Sequence, residues 1–234
     1  MDTVTFGTKN SYTDFGLILS SKEIGIPRPK TKDVNVPGMD GKLDLTDVLT
    51  EEVKFENRKL QFTFTVVDHF NGWSTRLSQV MNYLHGEYLK IQMDWDFEYY
   101  YMGRCTVNKF KSNKRTGTIV IDVDAEPWKY DNKTKGGNSP WTWDDFNFIN
   151  GEIRPLTYQT YSSPTFIHVN NGRKPCSPTI HTTNAVHVEI LGHSYDLNAG
   201  QTKTLTEVLM VPGINTFMFI GYSEVTITFK GGSL

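Results

Sequence analysis

The chain has 234 residues, a formal net charge of −2 and 13% aromatic residues. The near-neutral balance excludes a global field that would draw the chain to nucleic acid or anionic lipid. The frequent glycine, aromatic and β-branched residues favour strands over helix packing, and the length allows one large all-β domain or two ordinary ones.

No apolar run approaches the roughly 20 residues that cross a bilayer, and the N-terminus lacks a basic region followed by an apolar one. These patterns predict no membrane insertion and a protein that stays in the cytoplasm where it is made. The two cysteines, Cys105 and Cys176, are far apart and lack zinc spacing. We interpret them as free thiols, with a disulfide as the alternative. No cofactor, metal or nucleic-acid site is predicted.

Residues 36–46 form a glycine-rich segment. Gly38 and Gly41 bracket Met39 and Asp40, a pattern that predicts a turn with positive φ or a close approach of the backbone. Lys42 follows the second glycine, but the spacing of a phosphate-binding loop is missing and no Ser or Thr comes next.

Arg58 follows this turn, just before the regular strand that is predicted over residues 60–66. Because an arginine fork engages carboxylates bidentately, we expect Arg58 to pair with Asp40 and Asp44, within a domain or across a subunit boundary, and to hold the turn against the sheet. The pair would contribute strongly to stability only if it were buried.

The next elements are a strand and a helix. Alternation over residues 60–66 predicts a strand with one buried face. A stripe of apolar residues at helical spacing from Trp73 to Leu84, with Gly86 as a stop, predicts the only convincing helix. Residues 89–93, 99–107 and 117–124 read as three further strands, so the first half is predicted to be an α+β unit.

The polar, glycine-containing residues 131–139 predict a linker. Beyond them, strand-like runs occur at about ten-residue spacing, which is typical of a β-sandwich. The predicted domains are therefore 1–130 and 140–234. The predicted strands of the second domain are 165–169, 185–191, 216–220 and 225–230.

Three carboxylates, Asp94, Asp96 and Glu98, would share one face of an extended strand. Such a row is loosely similar to the catalytic carboxylates of β-jelly-roll glycosidases. Its place between two predicted strands favours a solvated hairpin tip instead.

Two other groups of residues are candidates for binding sites. His181, His187 and His193 recur at six-residue intervals, but no carboxylate or cysteine completes a familiar metal-ligand set. We interpret them as surface histidines. Trp141 and Trp143 lie in an aromatic cluster after the linker. They could stack on a sugar at the periphery, although such clusters more often pack against a sandwich edge.

Several motifs together resemble the distal tail proteins of long-tailed bacteriophages. Residues 12–19 resemble the opening strand of that family, and residues 195–200 and 209–215 resemble its C-terminal domain. The main signature lies in the first half and consists of Pro37, Gly38, Asp40, Gly41, Asp44, Asn57, Arg58, Pro127 and Trp128.

The resemblance implies a mainly β protein with one helix, in which an N-terminal α+β belt domain related to tail-tube proteins precedes a C-terminal galectin-like β-sandwich. It implies a structural, non-enzymatic adaptor at the virion tail tip, assembled in the bacterial host cytoplasm, whose six copies form a ring. The implied partners are the tail tube protein, the tape measure protein, a tail-associated lysin or tip protein, and in some phages a receptor-binding protein. The alternatives are a polysaccharide hydrolase and a carbohydrate-binding module.

Overall fold

The computed structural model describes residues 2–48, 52–67, 73–97, 99–112, 116–131 and 157–234. The chain divides into two compact units, Met1–Lys129 with Leu234, and Tyr130–Ser233. The predicted linker at 131–139 lies almost wholly outside the described residues, so the linker and the domain bounds drawn from it remain a prediction.

The first unit is built on an antiparallel sheet with the strand order β2-β1-β7-β8-β9-β6-β3. A separate two-stranded sheet pairs β4 with β5. The strands are β1 Val4–Phe6, β2 Lys9–Asn10, β3 Ile18–Ile24, β4 Asp33–Val34, β5 Leu43–Asp44, β6 Arg58–Val67, β7 Tyr88–Met93, β8 Tyr99–Ser112, β9 Thr116–Ala125 and β10 Lys129–Asp131.

The predicted alternation of β6 is confirmed. Leu60, Phe62, Phe64 and Val66 are fully buried, whereas the residues between them are at least partly exposed. The aromatic rings of Phe62 and Phe64 both meet Phe6 of β1 edge to face, at centroid distances of 5.9 and 6.3 Å. The buried face of this strand therefore organises the core of the first unit.

The predicted helix is confirmed as α1, Trp73–Leu84. Val80 and Leu84 are fully buried in the same core as β6. Gly86 ends the helix with a φ of +85°, in the left-handed region that glycine favours. The three strands predicted after the helix are confirmed as β7, β8 and β9.

The start of the chain differs from the predicted opening strand. Residues 11–15 form turns, and the strand β3 begins only at Ile18 and continues to Ile24. Asn10 explains the difference, because its side-chain oxygen accepts a hydrogen bond from the backbone N–H of Tyr12 at 2.8 Å. This asparagine-based turn competes with an extended backbone.

The second unit is a β-sandwich, as predicted. One antiparallel sheet has the order β11-β18-β13-β16 and the other the order β12-β17-β14-β15, and their inward side chains share one apolar core. The strands are β11 Thr157–Thr160, β12 Thr165–Asn171, β13 Thr179–Thr182, β14 Val186–Ile190, β15 His193–Leu197, β16 Thr202–Thr204, β17 Gly213–Ile220 and β18 Ser223–Thr228. A last strand, β19 Gly232–Ser233, belongs to neither sandwich sheet and pairs with β10.

The prediction of two thiols rather than a disulfide is confirmed. Cys105 and Cys176 are both buried outside any disulfide, and the Cys176 thiol donates to the side-chain oxygen of Asn171 at 3.4 Å. In the part of the chain that the structure describes, no helix is long and apolar enough to cross a membrane.

Candidate assembly surface

A long exposed segment of the first unit is the arm, which we define as residues 25–57 between β3 and β6, of which 25–48 and 52–57 are described. Its two halves pair as a hairpin. The backbone N–H of Gly25 donates to Lys59 at 2.8 Å, and that of Lys30 donates to Lys54 at 2.8 Å. Farther along, β4 pairs with β5. Residues 28–44 are all exposed.

The turn of the arm contains the two signature glycines. Gly38 and Gly41 have φ angles of +85° and +80°, and no heavy atom lies within 4 Å of where a Cβ would stand at either residue. The predicted positive φ is therefore confirmed, and a close approach of the backbone is not what these positions require.

The arm exposes apolar side chains that would ordinarily be buried. The largest exposed fraction is 89%, at Ile26. The other apolar residues of the arm that are exposed are Val34, Val36, Met39, Leu43, Val48 and Val53. A concentration of this kind on one hairpin is typical of a surface that is covered by another molecule.

The expected ion pair of Arg58 with Asp40 and Asp44 is wrong within one chain, where Arg58 and Asp44 have other partners. Asp44 instead accepts hydrogen bonds from Thr46, at 2.9 Å from the backbone N–H and 2.5 Å from the hydroxyl, and these bonds lower the pKa of Asp44. The carboxylate of Asp44 therefore stabilises the local turn that contains it, through Thr46. Asp40 is exposed near the tip of the arm.

Arg58 is buried at the base of the arm, with only 5% of its surface exposed. Its Nε and Nη2 atoms donate to the backbone carbonyl of Pro127 at 3.0 and 2.5 Å. Its guanidinium lies 5.2 Å from the ring centre of Tyr101. Burial lowers the pKa of Arg58, and the neighbouring Tyr101 opposes that shift. Arg58 therefore joins the base of the arm to the end of the first unit.

Two further contacts join the same segments. The rings of Phe55 and Trp128 pack edge to face, with their centroids 5.7 Å apart, and Phe55 forms an isolated β-bridge with Pro29. The side-chain amide of Asn57 donates to Asp124 at 3.1 Å. Sequence reasoning missed the pairing of Phe55 with Trp128, because it links residues 73 positions apart.

The acidic row does not form the extended strand that a row of aligned carboxylates would need. Residues Asp94–Asp96 form a short 3₁₀ helix between β7 and β8, at the predicted hairpin connection. Asp94 accepts a hydrogen bond from the hydroxyl of Thr3, and Asp96 lies 3.6 Å from the amino group of Lys129. Glu98, the third carboxylate, lies outside the described residues.

The three histidines occupy separate settings. His181 meets the hydroxyl of Thr202 at 2.9 Å, and His193 stacks on Tyr195. His187 lies between two carboxylates, 2.7 Å from Asp196 and 3.3 Å from Glu189. Among the described residues, no group of three or more His, Cys, Asp or Glu side chains could hold a metal ion. Trp141 and Trp143 lie outside the described residues.

Hydrogen bonds that the His187 ring donates to Asp196, and then to Glu189, raise the pKa of His187 above its ordinary value. An NMR titration of the ring should therefore give a midpoint above about 6.5. Because the native pKa is raised, the stabilisation is full below the unfolded-state pKa and is lost as the pH rises through the native pKa. Asp196→Asn should lower the midpoint, whereas Glu224→Gln, on the outward face of the other sheet of the same unit, should leave it unchanged. Equal midpoints in the wild type and Asp196→Asn would contradict this contact.

Comparison of the sequence with protein-family models and with curated proteins finds no match. Comparison of the structure shows that the chain has the fold of a phage hub protein. One solved structure with this fold is that of Dit (gp 19.1) of phage SPP1, described as a paradigm of the hub adsorption apparatus in phages that infect Gram-positive bacteria. The TM-score is 0.65, 14% of the residues are identical, and the alignment covers 100% of both chains. The predicted resemblance to distal tail proteins is confirmed at the level of the fold.

Proposed function

We propose that the chain is a structural subunit of a phage tail tip, in which six copies close a ring between the tail tube and the tip proteins. The observation that carries the proposal is the likeness to the SPP1 hub protein over the full length of both chains. The exposed apolar side chains of the arm, which carries most of the signature residues, also support it.

In this proposal, the ring contacts are the arm and the edges of the sheet. The apolar side chains of the arm lose contact with water when they pack on a neighbouring subunit, which stabilises the contact by roughly 25 cal/mol per Å² of buried apolar surface. The strand β3 supplies a second contact, since it is the last strand in the order of the sheet and is largely exposed.

The two units have separate roles in the proposed assembly. The first unit is the belt domain of the ring, and the second is the galectin-like domain that faces outwards, joined by the linker at 131–139. The partners are the tail tube and tape measure proteins on one side and the tail-associated lysin or tip protein on the other, with a receptor-binding protein at the periphery. The site of action is the virion tail tip, and the role is non-enzymatic.

Electron microscopy of the purified protein, together with its mass by light scattering, tests the proposal. We expect six-fold rings and the mass of six chains. Detection of the chain in purified tails provides an assay that does not depend on ring closure in isolation. A protein that is monomeric and also absent from tails would contradict the proposal, as would glycan cleavage that is abolished by Asp96→Asn.

A further inference from the structure

Two exposed tyrosines lie side by side at one end of the sandwich. Tyr161 follows β11 and Tyr222 precedes β18, two strands that pair with each other. The two residues are 54% and 65% exposed, and their ring centroids lie 6.2 Å apart with the ring planes inclined by 66°. Adjacent tyrosines that remain exposed are typical of recognition sites, where they supply a large, rigid contact area at a low entropic cost.

Buried hydroxyl groups hold the segments that carry the two tyrosines. The hydroxyl of Thr160, which is fully buried, donates to the backbone carbonyls of Gly221 and Ser223 at 2.7 and 3.1 Å. The hydroxyl of Ser223, also buried, accepts from the backbone N–H of Asn184 at 3.0 Å. The side-chain amide of Asn184 donates to the carbonyl of Tyr222 at 3.1 Å. The tyrosine pair is therefore preorganised, which lowers the entropic cost of binding a ligand.

Polar side chains adjoin the tyrosine pair. Gln159 and Glu224 are exposed and lie opposite each other on β11 and β18, each two residues along the chain from one of the tyrosines. The amide of Gln159 donates to the carboxylate of Glu224 at 3.2 Å. Residues two apart on a strand share a face and lie about 6.6 Å apart along it. An amide and a carboxylate at this spacing can bond the hydroxyl groups of a ligand that covers the rings.

The surroundings of the tyrosine pair carry almost no charge. The loops that meet here, residues 161–164, 183–185 and 221–222, contain no charged residue. The strands β11, β13 and β18 contain no lysine or arginine, and Glu224 is their only carboxylate. An anionic ligand would therefore meet a carboxylate and no cation. The site favours an uncharged ligand.

The size of the exposed pair separates a small ligand from a protein partner. Two tyrosines at these exposures present on the order of 200 Å² of side-chain surface, whereas a stable protein contact covers about 800 Å² on each partner. A sugar ring fits both this area and this chemistry. Its C–H bonds stack on an aromatic face, and its hydroxyl groups bond amides and carboxylates at the rim.

We propose that Tyr161 and Tyr222 form a binding site for a neutral saccharide. The sugar stacks on the exposed rings, and Gln159 and Glu224 bond its hydroxyl groups. One chain contains every residue that this site needs, so saccharide binding goes beyond the proposed function and does not require the ring.

Binding of the purified full-length chain to an oligosaccharide array tests this proposal. The probes are neutral oligosaccharides built from glucose, galactose, rhamnose and N-acetylglucosamine, with polygalacturonate as the anionic probe. We expect at least one neutral oligosaccharide to bind and polygalacturonate not to bind. Binding of polygalacturonate alone, or of no probe, would overturn the inference.

Calorimetric titration with the neutral oligosaccharide that binds best then locates the sugar. Tyr161→Ala and Tyr222→Ala should each weaken binding roughly tenfold or more, the factor expected for the loss of one buried aromatic side chain. Tyr161→Phe keeps the ring and should bind within about threefold of the wild type. Tyr12→Ala, at an exposed tyrosine of the first unit, is the matched control and should bind as the wild type.

The melting temperature separates loss of binding from loss of folding. Both tyrosines are exposed, so the alanine variants should melt as the wild type does. If one of them fails to fold, the other carries the same test. Unchanged affinity in a folded alanine variant would overturn the inference. Saccharide binding at this site by a chain that forms no ring and is absent from tails would support the inference and contradict the proposed function.

Discussion

A variant that lacks the outer part of the arm is expected to fold but not to form a ring. The variant joins Lys30 directly to Lys54 through an Asn-Gly turn. These two residues already pair, with the backbone N–H of Lys30 at 2.8 Å from the carbonyl of Lys54, and Asn-Gly is the preferred two-residue hairpin turn. None of the described residues from 31 to 53 is buried, so the core remains intact.

Loss of assembly should follow because this deletion removes most of the exposed apolar side chains of the arm while Phe55 and Arg58 remain at its base. Light scattering should report the mass of one chain, and circular dichroism should show an unchanged melting temperature. A matched full-length variant, Val34→Thr with Leu43→Thr, keeps the hairpin and removes one cross-strand apolar pair, so its ring should be weakened rather than lost. Wild-type assembly by the shortened protein would show that the arm is not the ring contact.

Arg58→Ala should have the largest effect on stability among the signature residues. The substitution removes two charge-assisted hydrogen bonds and leaves the Pro127 carbonyl without these donors. Hydrogen bonds to charged groups contribute about 1.5 to 3 kcal/mol, and we expect a loss in this range for the unfolding free energy. Arg58→Lys should be only partly tolerated, because an ammonium group cannot supply both planar donors.

The control for this measurement is Arg104→Ala. Arg104 also donates to a backbone carbonyl, that of Gly86 at 2.5 Å, but it is exposed. Its loss should cost less than about 1 kcal/mol, since water replaces an exposed partner at little cost. Denaturant unfolding followed by tryptophan fluorescence measures both variants. Equal losses for Arg58→Ala and Arg104→Ala would mean that burial at the base of the arm does not strengthen the Pro127 contact.

The sequence alone predicted those helices and strands whose apolar residues recur at a regular spacing. The strand β6 and the helix α1 were predictable because each has one buried face. The spacing of the apolar residues in the sequence shows which face that is. The short strands β1, β2, β4 and β5 have two or three residues each, which is too few to show a period. Their pairing depends on neighbours that are distant in sequence.

At the candidate assembly surface, too, local features were predictable from the sequence and long-range contacts were not. The sequence by itself determined the positive φ of Gly38 and Gly41, because this turn is short-range and glycine adopts that conformation readily. The sequence also singled out Arg58, but it did not determine what Arg58 contacts. Only the tertiary structure decided that the partner is the Pro127 carbonyl, 69 residues away, because the pairing of β6 with β9 carries the base of the arm to the end of the first unit. A carboxylate close in sequence was the simpler expectation, but Asp44 is already engaged by Thr46.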